Sequence, residues 1–88
     1  MIWRVEFTPD AEKELARLDK EAVREIRRFL RERVEPDPRA FGKSLRGQLR
    51  EFWRWRVGAY RILGRIEDDK LLVLVVKLGH RRHVYGNH

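Results

Sequence analysis

The spacing of apolar residues changes along this chain, and each change marks a candidate element. Ile2, Val5 and Phe7 suggest an opening strand. Thr8 then supplies a helix N-cap, with Pro9 at the first helical position, where a missing N–H costs nothing. Ala11, Leu15 and Leu18 fall on one helical face. Asp19 can cap a second helix of about fifteen residues, in which Ala22, Val23, Ile26, Phe29, Leu30 and Val34 recur at helical spacing. Arg24, Arg27, Arg28 and Arg31 face outward, and Pro36-Asp37-Pro38 ends the helix.

After a loop containing Gly42 and Gly47 the period shortens to two. Strands are predicted at roughly 50–57, 59–66 and 71–78, with Gly58-Ala59 and Glu67-Asp68-Asp69-Lys70 as tight antiparallel turns. Leu71-Leu72-Val73-Leu74-Val75-Val76 is apolar on both faces and belongs inside the sheet, not at its edge. The predicted class is α+β in the order βααβββ, a small antiparallel sheet with a helical hairpin packed on one face. The pattern does not fix the strand order. With no repeat or linker, residues 1–88 read as one domain, large enough to bury roughly two thirds of the unfolded chain's surface.

Charge sharpens this picture because it is uneven. The chain carries 21 Lys and Arg against 14 Asp and Glu, a net charge of +7. Residues 1–38 hold nine basic and ten acidic side chains, whereas residues 39–88 hold twelve and four. The basic character, +8 against −1, therefore belongs to the C-terminal half and points to an anionic partner on one side. Cysteine is absent, which excludes disulfides and thiolate chemistry. The N-terminus lacks a signal peptide's apolar core, and no stretch is long enough for a membrane span, so a soluble cytoplasmic protein without membrane contact is expected.

The candidate chemistry lies in two arginine-rich segments beside aromatic residues, Arg50 to Arg61 and Gly79 to Tyr85. Alternation puts Arg50, Phe52, Arg54 and Arg56 on one strand face and Trp53, Trp55 and Val57 on the core face. Guanidinium groups on one wall hold phosphate oxygens, and a neighbouring ring can stack on a base. Arg46, Arg50, Arg54, Arg56 and Arg82 are the expected RNA-binding residues, and function is expected to rest on Arg54, Arg56, Arg61, Arg81 and Tyr85. The helix arginines interleave with Glu21, Glu25 and Glu32, as on a solvated surface, and are set aside. His80 and His83 have no cysteine and few carboxylates nearby, so no metal site is expected. No cofactor-binding motif is present either.

The run Ser44-Leu45-Arg46-Gly47, the Arg56-x-x-x-Tyr60-Arg61 segment and the closing Gly79-His80-Arg81-x-x-Val84-Tyr85 resemble the RelE/ParE superfamily of bacterial and archaeal toxins. The likeness spans nearly the whole chain, from the Thr8-Pro9-x-Ala11 helix start to Tyr85. It implies the toxin of a type II toxin–antitoxin system, bound by an acidic RelB-like antitoxin in a heteromeric complex. It also implies a ribosome-dependent mRNA endoribonuclease in which the 2′-OH attacks the adjacent phosphate without a metal. Positions matching Arg61 and Arg81 would stabilise the phosphate and assist the leaving group, and Tyr85 would stack on or activate the nucleotide. Some RelE members carry two lysines where this chain has Phe52 and Arg54, and arginine is a poor general base. His83, resembling the histidine of YoeB-type toxins, is the best remaining base, with His80 next. The alternatives are a ParE-like, non-nucleolytic inhibitor of DNA gyrase and a nucleic-acid-binding module that never cleaves.

Overall fold

The computed structural model describes residues 2–80, so Arg81, Arg82, His83 and Tyr85 lie outside the described residues. Strand β1 spans Arg4–Phe7. The Thr8 hydroxyl accepts the Ala11 N–H at 3.2 Å and opens helix α1, Pro9–Ala16. Asp19 caps helix α2, Lys20–Phe29, by accepting the Ala22 N–H at 2.8 Å. Both caps are those expected from the sequence. The second helix continues through a wider π-helical turn over Leu30–Val34, closed by Glu35 N–H donating to the Leu30 carbonyl at 2.9 Å. Among the described residues no helix is long and apolar enough to cross a membrane.

Four further strands follow: β2 (Gly42–Ser44), β3 (Phe52–Val57), β4 (Tyr60–Glu67) and β5 (Leu72–His80). The sheet order is β1-β5-β4-β3-β2. The α+β class, the hairpin on one face and the interior place of the last strand match expectation. Two features correct it. The sheet is mixed, not wholly antiparallel, because β1 runs parallel to β5, with Val5 opposite Val73 and Phe7 opposite Val75. Parallel neighbours need a long connection, and here everything between the two strands supplies it. The second correction is β2, which forms inside the expected loop and pairs antiparallel with β3.

The core lies between the helices and one sheet face. Ala11, Leu15, Ile26, Leu30 and Val34 pack against Trp55, Val57, Ile62, Val73, Val75 and Leu78. Trp55 is fully buried, and its indole N–H donates to the Pro38 carbonyl at 2.9 Å. That bond satisfies the ring's one polar group and anchors the segment after the helices. The ring needs two glycines on neighbouring strands. A Cβ on Gly42 would stand 2.7 Å from its Nε1, and one on Gly64 would stand 3.2 Å from its Cζ3 and 2.7 Å from the Leu74 carbonyl oxygen. On the surface, Arg39 forks onto Asp68 through two hydrogen bonds of 2.8 and 2.9 Å and lies over the Trp53 ring. The Arg39 hydrogen bonds hold the Asp68 carboxyl below the usual aspartate range.

Candidate functional site

Strand alternation leaves the other face of the sheet uncovered by either helix. Since Trp55 and Val57 point to the helices, Phe52, Arg54 and Arg56 point away. The register brings their neighbours alongside. Lys43 on β2 faces Arg54, which faces Leu63 on β4, which faces Lys77 on β5. The adjacent row is Arg56, Arg61 and Gly79, and the row on the other side is Phe52, Arg65 and Leu74.

Two directly opposed pairs on this face are therefore cationic, Lys43 with Arg54 and Arg56 with Arg61. Like charges opposite one another destabilise a sheet, and at the Lys43–Arg54 pair an anion would offset that cost. Among the described residues Lys43, Arg54 and Arg56 form no ion pair, whereas Arg65 approaches Glu67 at 3.9 Å and Lys77 reaches Glu14 at 3.2 Å. Arg54 departs further from ordinary practice. Its Nε is buried and has no acceptor among the described residues. Phe52, Leu63 and Leu74 are half-buried beside these cations, giving the face apolar ground as well as charge.

The predicted residues divide into three groups. Arg54, Arg56 and Arg61 come together as the alternation requires. Arg46 and Arg50 do not join them: Arg46 precedes, and Arg50 follows, a short 3-10 turn over Gly47–Leu49, and both are exposed in the loop before β3. Arg46 lies in the loop where it was expected, whereas the expected place of Arg50 on the strand face is corrected by that turn, which delays the strand to Phe52. The third group, Arg81, Arg82, His83 and Tyr85, lies outside the described residues, directly after the end of β5.

His80, the second choice as base, is the cross-strand partner of Tyr60, and the two rings meet edge to face at 6.1 Å. Tyr60 packs against the core, so His80 shares the face opposite Arg61. Lys43 was not anticipated. A three-residue strand containing glycine carries too little alternation to be read, and only its pairing with β3 reveals the lysine's position.

Comparison with known proteins agrees with this fold. A family model described as the ParE toxin of the type II toxin–antitoxin system parDE matches residues 5–85. The chain is 31% identical to Toxin RelG of Mycobacterium tuberculosis over 85 residues, covering 97% of this chain and 98% of that protein. Among solved structures, the toxin–antitoxin complex RelBE2 from Mycobacterium tuberculosis matches with a TM-score of 0.87 at 30% identity, covering 92% of this chain and 93% of the other. The isolated RelE toxin of E. coli matches with a TM-score of 0.76 at 25% identity, covering 89% and 83%. An archaeal RelE–RelB complex from Pyrococcus horikoshii matches with a TM-score of 0.65 at 26% identity, covering 96% and 100%. Sequence order, fold and the cationic sheet face converge, and the chain belongs to the RelE/ParE superfamily of type II toxins.

Proposed function

We propose that this toxin is a ribosome-dependent mRNA endoribonuclease held in check by an acidic RelB-like antitoxin. The observation that carries the reading is Arg54, a guanidinium with a buried Nε that finds no acceptor among the described residues, on a face where Lys43 opposes it and Arg56 opposes Arg61. Natural proteins break folding rules of this kind mainly where function demands it. A backbone phosphate would neutralise the wall, and the forked geometry of arginine suits its oxygens.

The chemistry follows from the residue set. A base removes the proton of the 2′-OH, whose oxygen attacks the adjacent phosphorus, and the 5′-oxygen leaves with a proton, yielding a 2′,3′-cyclic phosphate. Negative charge grows on the equatorial phosphoryl oxygens, where Arg54, Arg61 and Arg81 would stabilise it. Tyr85 would stack on the nucleotide, and His83 would serve as base, since histidine is the side chain suited to proton transfer near neutral pH. The antitoxin reading draws on relatives solved as toxin–antitoxin complexes, including RelBE2 and the archaeal RelE–RelB pair.

The test is cleavage of ribosome-bound mRNA by the purified chain, with the product end analysed for a cyclic phosphate. Arg61→Ala, Arg81→Ala and Tyr85→Ala should each lower the rate roughly a hundredfold or more, while Arg28→Ala, on the solvated helix, stays near wild type. A large loss in His83→Ala with a flattened rate profile between about pH 5 and 8 would assign the base. Wild-type rates in folded Arg81→Ala and Tyr85→Ala would overturn the nuclease assignment. The match to a ParE family model favours one other reading, inhibition of DNA gyrase, and a supercoiling assay on the same preparation separates the two.

A further inference from the structure

Strand β5 loses its neighbour on one side before it reaches the candidate site. β1 ends at Phe7, opposite Val75, and the chain turns there into α1. Thr8 N–H makes one last strand-like bond, to the Val75 carbonyl at 2.9 Å. Beyond that point β5 is irregular as well: Leu63 pairs with Lys77 and Gly64 with Val75, so Val76 is an extra residue and the ladder slips. An unpartnered, bulged strand end is a weak platform for chemistry.

One side chain takes the place of the missing strand. Glu14, in the last turn of α1, accepts the Leu78 N–H on Oε1 at 2.8 Å, and its Oε2 receives the Lys77 ammonium at 3.2 Å. The carboxylate thus satisfies the first edge N–H past the bulge. Leu78 is itself a buried core residue opposite Ile62, so the bond fixes the strand at the point where it re-enters register. The next two residues, Gly79 and His80, face Arg61 and Tyr60, and the chain then continues into Arg81.

We propose that Glu14 is a positioning residue: its carboxylate holds the bulged end of β5 in register, which sets how Gly79 and His80 lie against Arg61 and Tyr60 and so the place of Arg61 on the cationic face. The proposal rests on the nuclease reading for its kinetic consequence but not for its structural one. The bond to Leu78 needs only an acceptor oxygen, so a glutamine serves as well as a carboxylate, and the Lys77 pair is dispensable.

The experiment compares Glu14→Ala, Glu14→Gln and, as a control on the same helix, the exposed Glu12→Ala. Hydrogen exchange at the Leu78 amide should speed up about tenfold or more in Glu14→Ala and return to the wild-type rate in Glu14→Gln. On ribosome-bound mRNA, Glu14→Ala should lose roughly tenfold to a hundredfold in kcat with KM little changed, because a small misplacement of catalytic groups acts on the transition state. Glu14→Gln should recover most of that loss, and Glu12→Ala should match wild type in both measurements. Unchanged Leu78 exchange in Glu14→Ala would overturn the strand-holding role, and faster exchange with wild-type kcat would overturn the positioning role. A glutamine that restores exchange without restoring kcat would also overturn it, assigning the effect to charge. A wild-type chain that does not cut mRNA defeats the nuclease reading instead, while the exchange measurement still decides whether Glu14 holds the strand.

Discussion

Arg54 and Trp55 are neighbours in sequence with opposite fates, set by the two-residue period of a strand. The indole goes into the core and finds the Pro38 carbonyl, whereas the guanidinium goes to the open face with its Nε buried and without an acceptor among the described residues. A buried donor without a partner costs about 1–3 kcal/mol, so Arg54 is expected to weaken the fold it sits in. Replacing it with methionine keeps the unbranched stem and removes the donor. Arg54→Met should therefore melt at or above the wild-type temperature while cutting ribosome-bound mRNA roughly a hundredfold more slowly. A variant with a clearly lower melting temperature and intact cleavage would make Arg54 a structural residue. The alternation of arginine and tryptophan was legible in the sequence because it is a local pattern. The missing acceptor was not, since it depends on which side chains β2 and β4 bring alongside.

At the scale of elements, the caps at Thr8 and Asp19, the proline stop after the second helix and the interior place of β5 could all be read from the sequence. Each is written in a few consecutive residues. The parallel pairing of β1 with β5 could not, because periodicity states which face is apolar and says nothing of a neighbour's direction. Arg50 shows the same limit: nothing local announces that a 3-10 turn will delay β3. Gly64 adds a constraint that is visible only in three dimensions. It lies in β4 where the Trp55 ring and the Leu74 carbonyl close in, and the carbonyl is backbone that cannot swing aside. Gly64→Ala should destabilise the fold by about 1–3 kcal/mol, the usual range for overpacking, measured by thermal or urea unfolding. An unchanged melting temperature would mean that β5 can shift there.

For the whole molecule, the decisive property is that charge is sorted by half of the chain and then concentrated on one sheet face. The helices mix both signs, while β2, β3 and β4 bring Lys43, Arg54, Arg56 and Arg61 together. A single-stranded RNA that neutralises these four cations should release counterions, giving log K against log salt a slope of about −3, from roughly 0.7 per phosphate contact. Removing one contact should change that slope in a predictable way. Arg56→Gln, exposed on the open face, should reduce its magnitude by about 0.7, whereas Arg28→Gln on α2 should leave it unaltered even though the net charge falls equally. Fluorescence anisotropy with a short labelled RNA across a salt series measures both. Equal changes in the two variants would show that RNA responds to net charge alone, and a flat salt dependence in the wild type would remove the sheet face as a phosphate-binding wall. The expected difference between the two arginines is what binding through a defined face requires.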